Sequence, residues 1–206
     1  MAWNPSTDPF ASDALATTGR QEEIELVGTH LRVIGTIALG RFGRLSDLIN
    51  ASSGYVRVRN ARLLLRNGDP TDLVLPEMMF DKDEISFIAQ RAPETPGQAW
   101  GIAGAGEATD FGGNPELDRA PRQFVMFTPG HTVTGFVHVY GETDLAGFVE
   151  SSDQRFVSVV DVTTRSLADR RVINHFKFVL INRTQMIAAS EVGRRGDVSP
   201  EDVPEL

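Results

Sequence analysis

Apolar residues between positions 22 and 90 fall mostly on alternate positions. "YVRVRNARLLLR" (55–66) sets Val56 and Val58 on one side and Arg57 and Arg59 on the other, the period of a half-buried strand. "EIELVGTHLRVIGTIAL" reads as two strands joined by a tight turn, "LVLPEMMFD" as a fourth strand and "EISFIAQ" as a short fifth. Pro76 cannot donate to a ladder, which places that part of the fourth strand at an edge or a bulge. Between strands two and three, "RLSDLIN" (44–50) spaces Leu45, Leu48 and Ile49 at i, i+3, i+4. It is too short to stand alone as a helix, but one turn can cover the end of a curled sheet.

A hundred residues later the pattern returns. Ile24, Leu26, Val33, Gly35, Ile37 and Leu39 fall on Phe124, Met126, Val133, Gly135, Val137 and Val139, and Leu45, Leu48 and Ile49 fall on Leu145, Phe148 and Val149 of "DLAGFVE" (144–150). One residue enters near Gln154, after which the offset is 101: Tyr55, Val56 and Val58 meet Phe156, Val157 and Val159, and Asn60 and Ala61 meet Asp161 and Val162. Met78, Met79, Phe80 and Ile85 meet Val179, Leu180, Ile181 and Met186. Four matched segments in order predict a tandem repeat of two all-β units, residues 22–90 and 122–191. The second holds "RQFVMFTPGHTVTGFVHV", with an explicit "TPGH" turn, then "RFVSVVDVTTR", "VINHFKFVLIN" and "QMIAASE".

The rest differs in composition. Residues 91–121 hold six glycines, four prolines and no apolar periodicity, so they are predicted to be a linker or long surface loop; 1–21 and 192–206 read as disordered tails. The tails and linker carry most of the formal charge of −8: residues 22–90 have eight basic and ten acidic side chains, and 122–191 have seven of each. Neither unit shows the basic excess usual for nucleic-acid binding. With no cysteine, disulfides, thiolate metal sites and cysteine nucleophiles are excluded. No apolar run approaches the roughly 18 residues that span a bilayer, and the N-terminus shows no secretory pattern, so a cytoplasmic location is expected.

Five strands in about seventy residues, with glycines so placed, resemble the Sm-like small β-barrel. "VMFTPGHTVTGFV" is similar to that family's first motif, with apolar Val125 and Phe127, turn Gly130, then Val133, Gly135 and Val137; Gly135 stands where a strongly bent strand leaves no room for a side chain. "VVDV" (159–162) and "VRNA" (58–61) look like the motif's closing stretch, and "FVLINRTQMIAA" resembles the second motif. The inserted "LSDLIN"-type turn looks like a small bacterial Sm-related domain family with no assigned function. The resemblance covers both units, about two thirds of the chain. It implies two tandem five-stranded barrels, each with a short helical turn between strands two and three. It also implies that strand edges pair with a neighbour, the nearest being the other unit in a closed pseudo-dimer. RNA-binding Sm proteins carry an Asn near the start of the third strand and an Arg-Gly pair in the second motif. Here Tyr55 and Phe156 occupy the first place, and Asp81–Lys82 and Asn182–Arg183 the second, so that RNA site does not carry over.

The candidate binding residues are Arg57 and Arg59, which share a strand face fit for an anion, and the aromatics Tyr55 and Phe156, which could stack a base. Each has a plainer reading, as a solvated sheet face and as core aromatics. The glycine-rich 101–113 stretch lacks the strand, helix and Lys-Ser/Thr ending of a phosphate loop. His30, His131, His138 and His175 lack metal-ligand spacing, and no nucleophile elbow marks a catalytic serine. Trp3 and Phe10 offer a short docking segment in the N-terminal tail. The chain is therefore expected to be no enzyme, without catalytic residues, metal or cofactor, and to serve assembly, scaffolding or regulation through a protein partner or self-association. A diverged Sm-like RNA-binding protein, disfavoured by the charge balance, and a small-ligand binder or enzyme with a pocket between the units remain as alternatives. Nothing points to DNA or to a membrane.

Overall fold

A computed structural model describes residues 20–52, 54–65, 69–91, 119–140, 147, 150, 154–169 and 173–192. The alternating segments become β1 (Gln21–Gly28), β2 (Arg32–Ala38), β3 (Tyr55–Leu64), β4 (Pro70–Asp81) and β5 (Ile85–Gln90), with α1 (Leu45–Ala51) between β2 and β3. They are followed by β6 (Arg119–Thr128), β7 (His131–Tyr140), β8 (Phe156–Ser166), β9 (Ile173–Asn182) and β10 (Ala188–Glu191). Short 3-10 turns, Lys82–Glu84 and Arg183–Gln185, lead into the last strand of each set.

All ten strands form one antiparallel sheet in the order β10-β6-β7-β8-β9-β5-β1-β2-β3-β4. The first five chain-order strands lie as β5-β1-β2-β3-β4 and the last five as β10-β6-β7-β8-β9, so the same internal order occurs twice. The all-β expectation holds. Two boundaries shift: β1 starts at Gln21, and β6 starts at Arg119, inside the stretch read as linker. Pro121 is tolerated there because β10 pairs only with Phe124–Phe127, leaving that part of β6 with a single neighbour. The second helical turn, 144–150, lies outside the described residues except for Gly147 and Glu150, both helical. Of the tails and linker only Arg20, Gln21, Arg91, 119–121 and Val192 are among the described residues, and Trp3 and Phe10 lie outside them.

Local chemistry sets the bends. Asn60 (φ 50°) and Asp161 (φ 49°) adopt the left-handed conformation mid-strand, one of the few that Asn and Asp visit readily. The β2–β3 and β7–β8 registers slip opposite them, at Ile34/Thr36 and Thr134/Phe136. The glycines in those slips are sterically required: a Cβ on Gly35 would lie 2.5 Å from Val58 Cγ1, and one on Gly135 2.7 Å from Val159 Cγ1. The expectation of a strand with no room for a side chain at Gly135 is met.

Burial is organised around two cores. One gathers Ile24, Leu26, Val33, Leu39, Ile49 and Val58; the other gathers Phe124, Met126, Val133, Val137, Val159 and Val162. Phe156 and Leu180 from the second half enter the first core, whereas Val27, Phe87 and Ala89 enter the second. β5 over Ile85–Ala89 and the end of β9 over Val179–Asn182 are thus buried on both faces, which is why "ISFIA", apart from Ser86, and "VLI" are apolar without alternation. The sheet is open rather than closed. β10 and β4 lie at its opposite ends, and Pro76 stands on that edge strand as expected.

Candidate interaction surface

The halves meet where β5 pairs with β9, with Phe87, Ile88 and Ala89 opposite Ile181, Leu180 and Val179. A cluster of polar contacts borders these apolar residues at the end where the two 3-10 turns lie. Asn182 is fully buried, and its Nδ2 donates to the carbonyls of Lys82 and Ile85, both at 2.8 Å. Its Oδ1 accepts from Thr184 N at 3.1 Å and Thr184 Oγ1 at 2.8 Å, so the amide's donors and acceptor are all used. Arg155 pairs with the Asp83 carboxylate, and Gln185 Nε2 donates to the Asp83 carbonyl. On the same side, Asn50 at the end of α1 accepts from Phe156 N at 2.9 Å and donates to Phe156 O at 3.1 Å. That amide clamp pairs with the Phe156 backbone as a strand would, and carries the Phe156 ring into the first core.

Lys82 closes the same region from within. Its ammonium is buried and donates to the Ile49 and Ser52 carbonyls, satisfying the C-terminal end of α1. Burial first, and the Arg155 charge second, lower its pKa. His131, at the start of β7, meets the Phe87 ring edge-to-face at 5.4 Å. Burial lowers its pKa, the Arg32 cation lowers it further, and the Pro129 carbonyl opposes both. Arg32 itself pairs with buried Glu25 at 2.5 Å.

At the open β4 end the matching residues are unevenly covered: Phe80 is buried, Met78 and Asp81 are half-buried, and Met79 and Tyr55 are exposed. Tyr55 is 54% exposed, whereas its counterpart Phe156 is 0% exposed. Tyr55, Arg57 and Arg59 line one face of β3, opposite Asp81, Met79 and Glu77 of β4. Arg57 and Arg59 both approach Glu77, at 3.6 and 4.0 Å, so the anion patch already holds a carboxylate. Leu73, Val74 and Met79 add exposed apolar surface along β4. The structure therefore brings Tyr55, Arg57 and Arg59 together and separates them from Phe156, whose ring has no surface open to a base.

Sequence reasoning missed Asn50, Arg155 and Gln185, and named Lys82 and Asn182 only as departures from an RNA-binding motif. The available signal was polar residues bordering doubly buried strands, where an unpaired group would cost about 1–3 kcal/mol. Among the described residues no three His, Asp or Glu side chains converge as metal ligands, and no helix is long and apolar enough to cross a membrane. A shallow open groove of about 310 Å³ runs beside Asp161, Thr163, His175 and Lys177, with Thr163 Oγ1 and His175 Nδ1 3.1 Å apart. Compared with known proteins, the chain matches no family model, no curated protein and no solved structure.

Proposed function

We propose that the chain is a non-catalytic interaction protein made of two Sm-like barrels in tandem, acting through its barrel surfaces and strand edges in assembly or regulation. The observation that carries this reading is the doubly buried β5–β9 junction, in which the end strand of one half completes the sheet of the other. An edge able to do this once is a general device for joining polypeptides, since backbone groups supply affinity and alternate side chains supply selectivity. The same strand order in each half, the glycines packed against matched bulges, and the matched left-handed Asn60 and Asp161 support common ancestry of the halves.

Site-specific photocrosslinking tests this reading. A crosslinker at Met79 or Ile187, on the two free ends, is expected to capture a defined protein, whereas one at exposed Ser158 on β8 is not. Equal capture at all three positions, or none, would contradict it. Exposed Tyr55 beside Arg57 and Arg59 is the observation that favours the RNA alternative. RNA retention that falls steeply with salt and disappears in Tyr55→Ala would select that alternative instead.

A further inference from the structure

The occupied junction is an internal template for what either open end would need. At the offset of 101, Asn182 corresponds to Asp81, Gln185 to Glu84, Arg155 to Gly54 and Asp83 to Thr184; at the offset of 100, Asn50 corresponds to Glu150. Asn182 and Asp81 form the same cap on the following 3-10 turn: Asn182 accepts from Thr184 N at 3.1 Å, and Asp81 from Asp83 N at 2.9 Å. The cap orients both side chains alike. Where Asn182 then offers an NH₂ to two carbonyls, Asp81 offers a second carboxylate oxygen.

A second copy presenting its β10 end to β4 would bring the carbonyls of Arg183 and Met186 against that oxygen, acceptor against acceptor in a dry place. The Glu84 side chain has no N–H for the Thr184 carbonyl, and Gly54 has no guanidinium. Glu150 would set a carboxylate against the Tyr55 carbonyl where Asn50 sets an amide against that of Phe156. The strand itself is poorer too, because Ala188, Ala189 and Ser190 replace Phe87, Ile88 and Ala89.

We infer that the two open ends are mutually incompatible, so that copies do not join end to end through β10 and β4, and that the β4 end accepts a strand from a different polypeptide. The incoming segment is apolar and extended, like β5, and is preceded by a lysine or arginine that reaches Asp81 and Glu84. A cation is the donor these carboxylates require once water is excluded, just as neutral amides suit the carbonyls at the occupied junction. The inference rests on the equivalence of the two halves argued under the proposed function.

The chain has no cysteine, so engineered thiols report contacts cleanly. Met78 and Ser190 correspond to Val179 and Ala89, which face each other across the occupied junction. Met78→Cys and Ser190→Cys proteins, mixed and oxidised, are expected to give no cross-linked dimer, and the weight-average mass stays at 22.5 kDa as concentration rises. Introducing Asp81→Asn with Glu84→Gln, which keeps the cap, is expected to produce the cross-link and a mass that rises with concentration. A cross-link with the native acids, or none with the amides, overturns the incompatibility. A fluorescent peptide of residues 82–90 with Asp83 and Glu84 replaced by lysine is expected to bind the native protein at least about tenfold more tightly than the Asp81→Asn, Glu84→Gln variant. Equal binding overturns the cationic-strand assignment. Failure of an Ala89→Cys, Val179→Cys pair to close within one chain would instead remove the equivalence reading itself.

Discussion

At the scale of single residues, exchanges between asparagine and aspartate have unequal consequences at two matched positions. Asn182→Asp would turn a carboxylate oxygen toward the Lys82 and Ile85 carbonyls in a fully buried place. It is expected to cost about 3 kcal/mol or more in urea-melt stability, because a desolvated charge then faces only acceptors. Asp81→Asn keeps the cap and removes a charge at a partly exposed site, so it is expected to stay within about 0.5 kcal/mol of the parent. Equal losses at the two positions would show that Asn182 is not the buried polar hinge of the junction. Gly35 and Gly135 make a matched pair of another kind. Alanine at either drives a methyl into a valine and a backbone carbonyl, and is expected to cost about 1–3 kcal/mol in the same melts.

At the scale of elements, β7 and β5 meet through His131 and Phe87, and the depressed pKa of His131 makes that contact one expected to weaken in acid. The folded-state pKa of His131 lies below its ordinary value of 6.5, so below pH 6.5 the unfolded chain binds more protons than the folded one. The stability involved is fully present above pH 6.5, is lost as pH falls toward the folded pKa, and levels off beneath it. His131→Phe keeps the ring and is expected to flatten this part of the stability–pH curve; an unchanged slope would mean that the imidazole does not titrate against Arg32 and the buried surroundings. These elements were unevenly legible in the sequence. β3 shows a period of two as far as Arg59, β8 a pattern interrupted at Asp161, and Gly135 announced its own crowding. The role of β5 and β9 was harder to see, because "ISFIA" and "VLI" mark double burial without naming the neighbour that provides it. Asn50 and Asn182 were less legible still, since a lone asparagine in sequence looks the same whether it caps a surface turn or clamps a strand a hundred residues away. Tyr55 and Phe156 align in sequence yet differ completely in exposure, because only one of them has a neighbouring half to cover it.

At the scale of the whole molecule, two hydrophobic cores share one sheet, and the shared strands lend each core side chains from the other half. The halves should therefore unfold together. Disrupting the junction with Phe87→Ala is expected to lower the stability of both cores by about 3–5 kcal/mol in a single transition, read by amide exchange in β2 and in β7 alike. Loss confined to β6–β9 would mean that the halves are energetically separate. The central claim is that β5 of one half is a structural strand of the other, and an Ala89→Cys, Val179→Cys pair tests it most directly, because these residues are register partners in a chain with no other thiol. Mild oxidation is expected to consume both thiols within a single chain, leave the mass unchanged and raise the melting temperature. Two thiols that stay free, or that link only one molecule to another, would contradict the account.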